Sequence, residues 1–228
     1  MTRKLSLLLK RIVRQHSLSL RRRGQVISAL SNKIGLVHFG TVDQKEDEHD
    51  VIRGLTVSTT HQDSHYAVGA YDGRDISIVD RFDVITDAKG RTAEHNWVIM
   101  QINLSGARPL PHMFFKPLQH SHTSYDKFFV AFHHLQSVNA LLLQSHGAEF
   151  HNRYQLFASS SRTQEIEESI TETTTNTIAA RFWPHAIEIL DNKLYVYTTD
   201  AHLTKTLLES ALQSALWLAN ELDPIDQN

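Results

Sequence analysis

The stretch that decides the fold is residues 66–80, Tyr-Ala-Val-Gly-Ala-Tyr-Asp-Gly-Arg-Asp-Ile-Ser-Ile-Val-Asp. Two runs rich in β-branched and aromatic residues flank Asp72-Gly73, and such a pair between two such runs predicts a two-residue hairpin. A second hairpin is predicted over 187–197, where Ile-Glu-Ile-Leu and Lys-Leu-Tyr-Val-Tyr flank Asp191-Asn192. Asn tolerates the positive φ that such a turn demands.

Working outward, Trp97, Ile99, Ile102 and Leu104 predict a strand over 95–104, and Met113–Lys116 a short one after the breaker Arg108-Pro109-Leu110-Pro111. A helix with Phe128, Ala131, Phe132, Leu135, Leu142 and Leu143 on one face is expected from Ser124 or Asp126 to Gly147. Glu149–Ser159 reads as a strand. Residues 163–180 read as a helix with Ile166, Ile170 and Thr173 inward. A last helix runs from a cap at Asp200 to Leu222, stopped by Asp223-Pro224. The fold class is therefore α+β, a largely antiparallel sheet packed by helices. The organisation expected is a basic helical segment over 1–40 and a body over 51–223, joined by the acidic stretch 41–50.

The formal net charge of −2 conceals an asymmetry. Residues 1–33 carry nine cations and no acid, and the first carboxylate is Asp43. The other 195 residues hold fourteen Lys/Arg against all 25 Asp/Glu, a split of +9 and −11. On a helical projection Leu5, Leu8, Leu9, Ile12 and Val13 lie within about 80° of one another's centre, opposite Arg3, Lys4, Lys10, Arg11 and Arg14. The stripe continues through Val26, Ile27, Leu30 and Ile34, interrupted by Arg23, so either two helices with a break near Arg21–Gly24 or one long kinked helix is expected. Arg3, Lys4, Lys10, Arg11, Arg14, Arg21, Arg22 and Arg23 are the candidate cations for an anionic surface; Leu5, Leu8, Leu9, Ile12 and Val13 are the candidate apolar face for a membrane or partner. The competing readings of the same segment are residues 18–34 packed on the body with the first turns a solvated basic tail, a nucleic-acid backbone, an acidic protein partner, the chain's own acidic body, and a transit peptide. Its lack of any Phe, Tyr or Trp through residue 38 counts against a base-stacking platform.

The chain has no cysteine, which excludes disulfides, thiolate nucleophiles and cysteine-bound zinc. No apolar run reaches the roughly 20 residues of a membrane span, so a cytoplasmic protein, peripheral to a membrane, is the expectation. Of the fifteen histidines, His120 and His122 share one face of an extended segment. They are the candidate metal ligands, with Glu149 to complete the set, in a histidine-dependent metal enzyme. No spacing matches a known ligand pattern, nucleophile elbow or phosphate loop, so no catalytic residue and no cofactor is assigned. A non-catalytic interaction protein is the leading expectation. Asp80 and Asp83 are paired carboxylates without a pocket to give them a role. Arg74, next to Gly69 and Gly73, reads as a surface residue after a turn in preference to an anion site. The aromatics read as core, except Trp217, which falls off the apolar stripe of the last helix and suggests a second contact surface.

The chain resembles a family of uncharacterised bacterial proteins that open on an Arg-rich helix and carry a Gly-x-Tyr-x-Gly-Arg strand. Gly69, Tyr71, Gly73 and Arg74 match that strand, Leu110, Pro111 and Pro117 the mid-chain prolines, and Glu149, Phe150 and Tyr154 a later segment. The resemblance implies an α+β fold with an antiparallel sheet and carries over no catalytic residue.

Overall fold

The computed structural model describes residues 21–41, 61–86, 90, 92–106, 109–118, 129, 132–138, 142–198 and 203–224. A helix α1 (21–34) leads into strand β1 (Val37–Thr41). Then come β2 (Gln62–Tyr71), β3 (Arg74–Thr86), β4 (Thr92–Asn103), β5 (Met113–Pro117) and the two-residue β6 (Gln136–Ser137). A short helix α2 (Ala148–Arg153) precedes β7 (Tyr154–Ala158). Helices α3 (Thr163–Ser169) and α4 (Glu172–Arg181), the hairpin β8 (Ala186–Leu190) and β9 (Lys193–Thr198), and the helix α5 (Lys205–Leu222) follow. Among the described residues the strands form one nine-stranded sheet in the order β1-β2-β3-β4-β9-β8-β5-β7-β6, with every pairing antiparallel.

Local chemistry sets both predicted hairpins. Asp72 and Gly73 have φ of 53° and 75°, and Asp191 and Asn192 have 51° and 57°. Positive φ at both central residues matches the turn's twist to that of the strands. The turns close on Tyr71 opposite Arg74 and on Leu190 opposite Lys193.

Strand alternation then sorts side chains onto two faces. One face carries Ile76, Ile78, Val98, Met100, Ile102, Met113, Phe115, Ile187, Ile189, Leu194 and Val196. The helices cover it: Ile27 and Leu30 of α1, Ile178 and Ala179 of α4, and Leu208, Leu212, Ala215 and Leu218 of α5 belong to the same buried cluster. Residues 21–41 thus share the sheet and core of the body. The opposite face carries a second cluster of Tyr66, Val79, Trp97, Ile99, Phe114, Tyr195 and Tyr197, against which Phe129, Phe132 and Phe157 pack.

Several sequence expectations are corrected. The helix expected through Gly147 is interrupted at Leu135–Val138, where β6 pairs with β7. Glu149–Ser159 is not one strand: its first five residues lie in α2, and the strand begins at Tyr154. The helix expected over 163–180 is two, because Ile170 is extended and Thr171 starts a new helix, its hydroxyl accepting from the Thr174 amide at 3.1 Å. That restart shifts the helical phase, so Thr174 and Thr175 are buried and Thr173 is exposed. The cap of α5 is Thr204, whose hydroxyl accepts from the Leu207 amide at 3.2 Å, and not Asp200. No break occurs at Arg21–Gly24, which are helical.

Candidate functional site

The root of the basic segment is a buried ion pair. Arg23 is 5% exposed and Asp80 3%. The guanidinium donates to the carboxylate from Nε at 2.9 and 3.0 Å and from Nη2 at 2.6 Å. Alternation explains the position: Asp80 follows Ile76 and Ile78 on the helix-covered face of β3, where α1 lies. Arg23, placed by sequence among the surface cations, is therefore corrected to a buried anchor, and its interruption of the apolar stripe marks the anchoring point. Arg21 and Arg22 are exposed. At the other end of α1, Lys33 donates to Glu209 of α5 at 2.9 Å. That pair is exposed and contributes little. Between the two helices lies a cavity of about 420 Å³, lined by Leu30, Lys33, Ile34, Tyr71, Glu209 and Leu212 among others.

Arg74 is corrected more sharply. It is 2% exposed, not a surface residue. Its Nε donates to Asn220 Oδ1 at 3.0 Å. Its Nη1 donates to the Asn103 carbonyl at 3.3 Å and to Asp223 Oδ2 at 3.0 Å, and its Nη2 to the Ala219 carbonyl at 3.1 Å and to the Asp223 carbonyl. All five guanidinium donors are used. The cation sits where the dipole of α5 favours positive charge and satisfies carbonyls the helix end leaves open.

On the opposite face, Glu188 is fully buried. It accepts from the Tyr197 hydroxyl at 2.6 Å and lies 2.8 Å from His112 Nε2. His112 stands edge-on to Phe132 at 4.8 Å and 5.5 Å from His134. Further along that face Arg81 donates to Asp63 at 2.6 and 2.7 Å, and His95 stacks on Trp97 at 5.0 Å. Burial pushes His95 down, and neighbouring Asp83 partly offsets this. His134 is lowered by burial, then by His112 and His133. The buried Glu188 and Arg81 are each held by a hydroxyl or a counter-charge, as burial requires. This carboxylate–histidine–tyrosine chain was missed in sequence. Its one signal is the odd acid in Ile187-Glu188-Ile189.

Of the remaining candidates, Arg3, Lys4, Leu5, Leu8, Leu9, Lys10, Arg11, Ile12, Val13, Arg14, His120 and His122 lie outside the described residues, as does nearly all of the acidic stretch 41–50. Glu149, the proposed third ligand, is exposed and pairs with Arg153 at 2.5 Å. No group of three His, Cys, Asp or Glu among the described residues is placed to hold a metal. Asp80 and Asp83 are not a catalytic pair: adjacent strand alternation sends them to opposite faces. Trp217 is half-buried against the core with Arg181 over its ring at 5.6 Å. No helix among the described residues is long and apolar enough to cross a membrane.

No family model and no curated protein matches the chain. Among solved structures it is similar to the crystal structure of the mycobacterial trehalose monomycolate transport factor A, TtfA. The TM-score is 0.57 at 10% identity, covering 92% of this chain and 98% of that one. At that identity the likeness is one of fold.

Proposed function

We propose that this chain is a non-catalytic binding protein whose α+β body is held at an anionic surface by its basic N-terminal segment. The observation that carries the reading is the anchoring of α1. Arg23 is locked to Asp80, Arg21 and Arg22 are exposed, and the sequence before them adds five further cations and no acid. A basic stretch rooted at a fixed point on an acidic body attracts anionic lipid by about 1 kcal/mol per cation near the surface. The body acts as the binding module, and the description of the like-folded TtfA as a transport factor favours binding over catalysis.

Co-sedimentation with vesicles containing phosphatidylglycerol tests this. The full chain should bind, and replacing Arg3, Lys4, Lys10, Arg11 and Arg14 with Gln should weaken binding by roughly a hundredfold or more at low salt. Equal binding by both proteins refutes the tether. Retention on duplex DNA with a steep salt dependence, in place of vesicle binding, transfers the segment to nucleic acid.

A further inference from the structure

Gly24 lies beside Arg23 on α1 and is buried. A Cβ built on it would stand 2.2 Å from Cε1 and 2.4 Å from Nε2 of His65. The imidazole thus occupies the space a side chain at position 24 would fill, and the helix rests on the ring. His65 has φ of 53°, where the β2–β3 register shifts between Ser64 and Ala67. Beside it His38 of β1 lies parallel, with ring centroids 5.7 Å apart and planes 7° from each other. His38 Nε2 and His65 Nδ1 are buried without a hydrogen-bond partner. Burial, and then His65, lower the pKa of His38.

The charged and titratable groups on the surrounding elements are Arg21, Arg22 and Arg23 of α1, His61 just before β2, and Asp80 of β3, with Asp63, Arg81 and Asp83 on the far face of the sheet. Asp80 is engaged by Arg23 and Asp63 by Arg81. A proton added to the pair therefore meets Arg23 and the second imidazole, while Asp80, the carboxylate on this face, already holds a cation.

We propose that the stacked His38–His65 pair is an acid-sensitive latch under α1, whose protonation lifts the 21–24 end of the helix off the sheet. The latch stands apart from what the basic segment binds. Above about pH 6.5 the His38 ring, whose value burial lowers, is neutral in the docked and the lifted states, and the latch is closed. As pH falls below that value the lifted state, with its imidazoles in water, takes up protons first. The docked state is depleted until the pH passes the lowered docked value.

Hydrogen exchange of the full chain at about pH 7.5 and 5.5, corrected for the intrinsic rate, tests the latch. Amides of 21–34 should exchange roughly tenfold or more faster at the lower pH, with α5 unchanged. The double variant His38→Gln/His65→Asn, which keeps at position 65 a residue tolerant of positive φ, should lose this response. Equal protection at both pH values, acceleration shared by α1 and α5, or a response surviving in the double variant overturns the proposal. If the double variant already exposes α1 at neutral pH, His38→Gln alone decides. It leaves the ring under Gly24 in place, and an undiminished response in it refutes the latch.

Discussion

The two faces of the sheet are drawn from alternate residues of the same strands, yet they bury themselves by different means. The helix-covered face is aliphatic through its centre, with Ile78, Met100, Val196 and Ile187 at or near zero exposure, and its buried charges include the pairs Arg23–Asp80 and Arg74–Asp223. The far face places Arg81, Asp63, Asp83, His95 and Glu188 among Trp97, Phe114, Tyr195 and Tyr197. Aliphatic contacts are tolerant of direction, whereas a buried carboxylate is stable only with its partners in reach. Glu188 meets Tyr197 across one strand register and His112 across another. A slip of one residue in β8–β9 would send Glu188 into the aliphatic face. The difference teaches that the first face supplies most of the burial and the second fixes the register.

The strongest way to break that contrast is Arg81→Ala. It leaves the Asp63 carboxylate buried and unpaired and should cost about 3–5 kcal/mol in denaturant unfolding. The double change Arg81→Leu/Asp63→Leu should recover most of the loss, and a double variant no more stable than the single one would show that the pair does more than satisfy its own charges. Glu188→Gln keeps the shape and one acceptor but removes the charge, and should cost about 1–2 kcal/mol by the same measurement. A cost near zero would mean that the far face does not depend on charge. On the aliphatic face, Ile78→Val removes one methylene and should cost about 1 kcal/mol. The smallest effect is on pH dependence. His95 on the far face and His38 on the near one both have lowered values in the folded chain, so their neutral forms favour folding. Stability should hold above about pH 6.5 and fall as the pH drops below it. His95→Gln and His38→Gln should each flatten part of that fall in urea titrations, and a profile unchanged by both would remove the histidines from it.

Which features the sequence discloses follows from how far their causes reach along the chain. The hairpins at Asp72-Gly73 and Asp191-Asn192 are decided by their own φ angles, so four residues suffice to read them. The fold class follows from the same alternation. By contrast α2 is six residues long, and the burial of Phe150 in the core and the packing of α2 against α4, both distant in sequence, help hold it helical. The roles of the arginines depend on partners 57 residues away for Arg23 and up to 149 for Arg74. Nothing beside Arg74 announces Asp223, so a turn followed by a solvated cation is the natural reading, and it is wrong. Alternation also places Glu188 opposite Ile187 and Ile189, but whether that far side is wet or dry is a property of the whole sheet.

Arg74 bears as well on the order in which the chain acquires its structure. The β2–β3 hairpin is local and closes early, on the microsecond scale of such turns. The acceptors for its guanidinium are Asn103, Ala219, Asn220 and Asp223, and three of the four lie 145 to 149 residues further along the chain. At ribosomal speeds of about 5–20 residues per second, the hairpin waits roughly 7–30 seconds for them. Sheet closure tells the same story, since β4 is flanked on one side by β9. Of its four acceptor residues, a nascent chain halted before residue 219 would hold Asn103 alone, and the domain would finish folding only after α5 had left the ribosome.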